Sequence, residues 1–186
     1  MDSWNGQGTR INSFALVSYL SDPLASFLDR LRHDFNPDSR ARAHLTVLPP
    51  RPLVAAPVDA WDELKERLQD VQPFEVELGD VEMFPETSVI YVSIKTGYCE
   101  LERLHTALNI GQIGFQETLP YHPHITLAQQ LPPEAVAAVA ETAARRWRAF
   151  PHSRTFIIDR LTFVQNTQDN CWTDLAAMDL VSHVAS

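Results

Sequence analysis

A chain of 186 residues, 45% hydrophobic and 21% charged, can bury one sizeable core or two small lobes, and no apolar run reaches the roughly 18 residues a membrane span needs. The formal charge of −9 argues against a protein that tracks a long polynucleotide, which presents a basic stripe to the phosphates, but leaves room for a small anion in a local pocket. Cys99 and Cys171 form no spacing motif and read as free thiols of a reducing compartment, so a cytoplasmic protein is expected.

Residues 1–11 are polar, contain Gly6 and Gly8, and lack the basic start and apolar stretch of a secretory signal; a short flexible tail is expected, followed by one domain over 12–186. The apolar run 14–20 predicts a strand. Asp22-Pro23 then opens a helix whose Leu24, Phe27, Leu28 and Leu31 share a face. A strand over 43–48 is expected to stop at Pro49-Pro50, with a proline-rich loop over 49–57. A helix over about 59–69 gathers Trp61, Leu64 and Leu68. The alternation Phe/Glu/Val/Glu/Leu over 74–78 predicts a half-buried strand. Another strand over 89–94 and a helix over 100–109, with Leu101, Leu104 and Leu108 inward, come next. A strand over 124–128 precedes an alanine-rich helix over 133–147, which opens on a proline and ends on Arg145, Arg146 and Arg148, where cations suit the helix dipole. The runs 155–165 and 172–180 predict a closing strand pair around the polar turn 166–170.

The order strand, helix, strand, helix, strand fits residues 14–78 and again 89–159. Such an echo predicts an α+β protein of two pseudo-symmetric lobes with a cleft between them. Within each half one strand carries a His-x-Thr tripeptide: His44-Leu45-Thr46 and His124-Ile125-Thr126. Alternate residues of a strand point to one face, so histidine and threonine project together while Leu45 and Ile125 turn into a core. If both strands face one cleft, two imidazoles and two hydroxyls converge. One histidine can then take a proton from an attacking oxygen while the other gives one to a leaving oxygen. The hydroxyls can bond the non-bridging oxygens of a phosphate. That scheme requires no metal or other cofactor.

These tripeptides resemble the motifs of the 2H phosphoesterase superfamily, in particular its bacterial 2'-5' RNA ligase-like branch with cyclic phosphodiesterase activity. The segments Pro73-Phe-Glu-Val-Glu-Leu, Met83-Phe84-Pro85, Val89-Ile-Tyr-Val and Pro123-His-Ile-Thr-Leu lie in that family's order, and the likeness spans about residues 12–180. It implies a bilobal fold with both motifs in a central cleft and hydrolysis of a 2',3'-cyclic phosphate to a 2'-phosphomonoester. His44 would be the proton donor and His124 the acceptor, with Thr46 and Thr126 on the phosphate. The chain departs from the family pattern at Gln129-Gln130, at 48–53 and at Glu86, positions where basic or other residues are usual. The cleft is accordingly expected to be poor in positive charge, which favours a small nucleotide or an RNA end over long RNA or tRNA.

Other residues carry weaker signals. Arg40, Arg42 and Arg51 flank the first motif and either steer a phosphate or stay at the surface. Phe14, Phe84 and Tyr121 either stack on a base or belong to the core. His122-Pro123-His124 gives two possible metal ligands without a carboxylate cluster. His105, His152 and His183 read as surface residues and Trp172 as core. A monomer is expected. A nucleotide-binding module without turnover and a 2'–5' ligase working in reverse remain the alternatives to a hydrolase.

Overall fold

The computed structural model describes residues 8–37 and 40–181, so most of the expected tail, and His183, lie outside the described residues. Eight strands form two four-stranded antiparallel sheets: β1 (Arg10–Tyr19), β2 (His44–Arg51), β7 (Arg160–Thr167) and β8 (Trp172–Asp179) in the order β2-β1-β7-β8, and β3 (Phe74–Met83), β4 (Ile90–Thr96), β5 (Ile125–Ala128) and β6 (Thr155–Ile158) in the order β5-β4-β3-β6. The helices are α1 (Leu24–Phe35), α2 (Pro57–Leu68), α3 (Tyr98–Leu108) and α4 (Pro133–Arg148). No helix of the described residues is long and apolar enough to cross a membrane.

The helix faces are those that the spacing predicts. Leu28 and Leu31 of α1, Leu64 and Leu68 of α2, and Leu101 and Leu108 of α3 are all fully buried. Each sheet turns one face to this core. Phe14, Leu16, Leu45, Val47 and Phe163 come from the first sheet, and Val76, Leu78, Ile90, Val92, Ile125 and Ile158 from the second. Trp61 of α2 stacks on Phe163 at 5.9 Å, and Phe27 of α1 lies 6.0 Å from Trp147 of α4. Burial of these large side chains, each contributing roughly 1.5–3 kcal/mol, is the main force holding the sheets to their helices.

The two halves are interleaved where the sequence suggested consecutive lobes. Strand β3, the last of the first repeat, pairs with β4 and β6 in the second sheet, whereas β7 and β8 complete the first. Helices α1 and α3 also cross over. α1 follows β1 but packs on β5, bonded to α4 through Arg146 Nη1 and Asp34 (2.6 Å); α3 follows β4 but packs on β2. The expected strand over 155–165 is two strands, broken at Asp159, one in each sheet. Strand β2 also continues through Pro49-Pro50 to Arg51, where a loop was expected. It is an edge strand, so the prolines cost the sheet no ladder hydrogen bond on the open side.

Candidate active site

Strands β2 and β5 are the edges of their sheets and approach each other. Their motifs open at this junction: His44 is the first residue of β2, and His124 immediately precedes β5. Leu45 and Ile125 are fully buried in the core. The residues on either side of them face the opposite way, and His44, Thr46, His124 and Thr126 all line one cleft of about 1050 Å³. The alternation predicted for a strand thus brings the four side chains into a common space.

The two imidazoles are held alike. Nδ1 of His44 lies 2.6 Å from the Arg42 carbonyl oxygen, and Nδ1 of His124 lies 2.7 Å from the His122 carbonyl oxygen. A carbonyl only accepts, so each Nδ1 carries a hydrogen and each Nε2 is left to exchange a proton with the occupant of the cleft. Aromatic edges fix the rings further. Phe84 and Tyr91 lie 5.1 and 5.3 Å from His124, and Tyr19 lies 6.4 Å from His44. Each tyrosine in turn donates its hydroxyl to a carboxylate, Tyr19 to Asp174 (2.6 Å) and Tyr91 to Glu82 (3.1 Å). Burial, reinforced by those carboxylates, pushes both phenols up to about 12, so they remain neutral donors.

Burial also disfavours the imidazolium. It pushes His44 down to about 4, helped by the positive fields of Arg32, His124 and Arg42 and opposed by the Arg42 carbonyl. His124 is lowered too, by burial and then by His122, against the pull of the His122 carbonyl. Both histidines are therefore neutral near pH 7.

Of the other sequence candidates, Phe84, Tyr121 and Arg42 reach the cleft and Phe14 and Arg51 do not. Phe14 points into the core and stacks on Phe163 at 5.5 Å. Arg51 is 1% exposed; its guanidinium donates to Pro49 O (2.8 Å), Ile113 O (3.2 Å), Asn109 Oδ1 and Glu117. It is a tie between β2 and the segment 109–117, not a substrate contact. Arg42 is held by Asp174 (2.6 Å) and lies over the Tyr19 ring at 3.6 Å. Tyr121 lines the cleft but is already committed: its hydroxyl donates to Thr46 O (2.8 Å) and its ring stacks on His105 at 3.9 Å.

His105, expected at the surface, is buried, with Nδ1 donating to Val47 O at 2.8 Å; His152 is exposed as expected. Trp172, expected in the core, is half-buried on the cleft wall beside Ala15, Val17 and Val164. Among the described residues no three His, Cys, Asp or Glu side chains gather as metal ligands would.

Arg32 of α1 lines the cleft along with Arg40 and Arg42, but Glu86, Glu102 and Glu117 line it too, so its charged side chains show no excess of cations, as expected. Sequence reasoning passed over Arg32 although a signal was present. It stands four residues beyond Leu28 and eight beyond Leu24, so it continues the stripe that α1 buries.

Comparison with known proteins bears on the family and the fold. The sequence profile of the 2'-5' RNA ligase superfamily matches residues 20–170. A candidate phosphoesterase of Oceanobacillus iheyensis is 35% identical over 71 residues, which span 38% of this chain and 41% of that protein. A candidate phosphoesterase of a Geobacillus species is 24% identical over 161 residues, covering 81% of this chain and 90% of the other. Among solved structures, a phosphoesterase crystal structure superposes with a TM-score of 0.63 at 17% identity over 95% of this chain and all of that one. Escherichia coli LigT in complex with 3'-AMP gives a TM-score of 0.61 at 17% identity, again over 95% of this chain and all of that one. At such identities the structural likeness establishes the fold.

Proposed function

The chain belongs to the 2'-5' RNA ligase superfamily, and from that membership and the cleft we propose that it is a metal-independent phosphodiesterase opening a cyclic (2',3'-type) or 2'-linked nucleotide phosphate. The observation that carries the reading is the mirrored pair of imidazoles, each fixed at Nδ1 by the carbonyl two residues earlier and each free at Nε2 in the same cleft. In this mechanism Nε2 of His124 takes a proton from water as its oxygen bonds to phosphorus. His44, which takes up a proton at Nε2 as the anionic substrate binds, gives that proton to the ribose oxygen as the phosphorus–oxygen bond breaks, leaving the ring neutral again. Hydroxyls of Thr46 and Thr126 donate to the non-bridging oxygens, where charge builds in the transition state.

A small nucleotide fits both the cleft and the chain's acidity. Structures of E. coli LigT hold 3'-AMP, phosphate, ATP and NADP+. Trp172 with Ala15, Val17 and Val164 offers an apolar wall against which a base can stack. The same reading has the protein act as a monomer in the cytoplasm, where Cys99 and Cys171, both free, stay reduced.

The test is a screen of small cyclic and 2'-linked phosphates, with product position read by phosphorus NMR, in buffer with and without chelator. Turnover is expected in both. His44→Ala and His124→Ala should each lower kcat/KM by about 10²–10⁴-fold. Turnover persisting in the double variant, or ligand binding without turnover in the unaltered protein, refutes the hydrolase; loss of activity with chelator refutes its metal independence.

A further inference from the structure

Arg32 presents a physical problem that the other described residues do not solve. The side chain belongs to a residue only 8% exposed, and its Nη1 has no hydrogen-bond partner among the described residues. Burial of a guanidinium without a full set of acceptors is unfavourable, and an apolar side chain at this point on the stripe of Leu24 and Leu28 would serve α1 better. Asp29 acts on the charge through its field, but the two form no ion pair among the described residues, and Asp29 Oδ1 accepts the Ala43 N–H instead. A position in the last turn of the helix does not account for it either. The dipole acts at the terminal carbonyls, whereas the guanidinium lines the cleft and exerts its field on His44.

The other cations of the cleft are differently placed. Arg42 is exposed and engaged by Asp174 and Tyr19, and Arg40 is exposed at the rim. Beyond the second motif the wall carries Gln129, which has no charge. Positive charge deep in the cleft therefore comes from α1, an element that carries no part of either motif and crosses over to pack on β5.

We infer that Arg32 is the anion anchor of the cleft, its guanidinium turning out of its enclosed position to donate to a non-bridging oxygen of the bound phosphate beside His44. The identity of that phosphate as the scissile diester rests on the proposed function; the anion site itself does not. An anion with two or more acceptor oxygens supplies both the missing hydrogen bond and the missing counter-charge. The ligand thus supplies a partner that the described residues do not.

The probe is inorganic phosphate, with binding followed by phosphorus NMR and by the shift in Tm, in the unaltered protein, Arg32→Met and Arg32→Lys. Phosphate should raise the Tm of the unaltered protein. Arg32→Met should have a phosphate-free Tm equal to or above the original, because it removes an unmatched buried charge, while its Kd for phosphate rises roughly 10- to 100-fold. Arg32→Lys should fall between. Unchanged phosphate affinity in Arg32→Met would overturn the inference. So would a phosphate-free Tm that falls in Arg32→Met and returns in Arg32→Lys, the signature of a purely structural cation. Neither measurement needs turnover: if no phosphodiester is hydrolysed, the proposed function falls while a loss of phosphate affinity in Arg32→Met still supports the anchor.

Discussion

Phosphate binding should re-protonate His44. With its pKa pushed down to about 4 in the empty cleft, only about one molecule in a thousand carries the imidazolium at pH 7, so supplying the proton donor costs about 4 kcal/mol. A phosphate charge about 4 Å away, at the effective dielectric of a protein site, contributes about 4 kcal/mol in the opposite sense. The two are of the same size, so in the proposed mechanism the bound phosphate provides most of what makes His44 competent as an acid. Arg32 strengthens the effect, since its field on His44 is among the causes of the depressed pKa and is neutralised once the guanidinium pairs with the anion. Titration of the imidazole nitrogens by nitrogen-15 NMR should find His44 near 4 in the free protein and at least about 2 units higher at saturating phosphate. The sign of the linked stability follows. Between the unfolded value near 6.5 and about 4 the unfolded chain binds a proton at His44 that the folded protein refuses, so the phosphate-free protein loses stability as pH falls through that window. A free-state pKa near 6.5, or one that saturating phosphate leaves unmoved, would refute the reasoning.

Two further substitutions test the surroundings of the cleft. Arg51→Met should destabilise the protein by about 3 kcal/mol, because it leaves Glu117 and Asn109 without their buried partner; urea unfolding of Arg51→Met beside the Arg51→Met/Glu117→Gln double variant should show the second change recovering part of the loss, and independent, additive losses would contradict this role. Trp172→Ala should raise KM for a nucleoside cyclic phosphate by about 5- to 100-fold with kcat little changed, as expected for loss of a base stack, and equal loss on a ribose cyclic phosphate lacking the base would exclude stacking.

Which residues form strands and helices was legible from local pattern, but which sheet a strand joins was not. The apolar run from Thr155 reads as one strand, yet the main core takes Phe156 and Ile158 at even positions and then Leu161 and Phe163 at odd ones, while Val164 joins the smaller cluster on the other face. That change of phase across Asp159-Arg160 is the point where the chain leaves the second sheet for the first, because a period-2 pattern cannot slip by one residue and keep the same face. The crossing of α1 and α3 left no such mark. An amphipathic stripe says that a helix face is covered and is silent on what covers it.

The motif residues were legible for a related reason. His-x-Thr needs only the strand's alternation to put histidine and threonine on one face, and the buried Leu45 and Ile125 supply the contrast that sets which face it is. Phe14 and Arg51 were misplaced because proximity in sequence to a motif does not determine direction. Phe14 lies on the face of β1 opposite Ala15 and Val17, and Arg51 ends β2 beyond the stretch that lines the cleft. Arg32 shows the converse. It is distant from both motifs in sequence, and only the crossing of α1 brings it to the cleft, but a charged residue on a stripe otherwise filled by Leu24 and Leu28 conflicts with the local pattern. Conflicts of that kind are where a sequence departs from what folding alone favours, and here the departure lies within electrostatic reach of His44, the proposed proton donor. In a chain with net charge −9, a buried cation that lacks a full complement of partners among the described residues is thus a more specific pointer to an anionic ligand than any surface cluster of arginines.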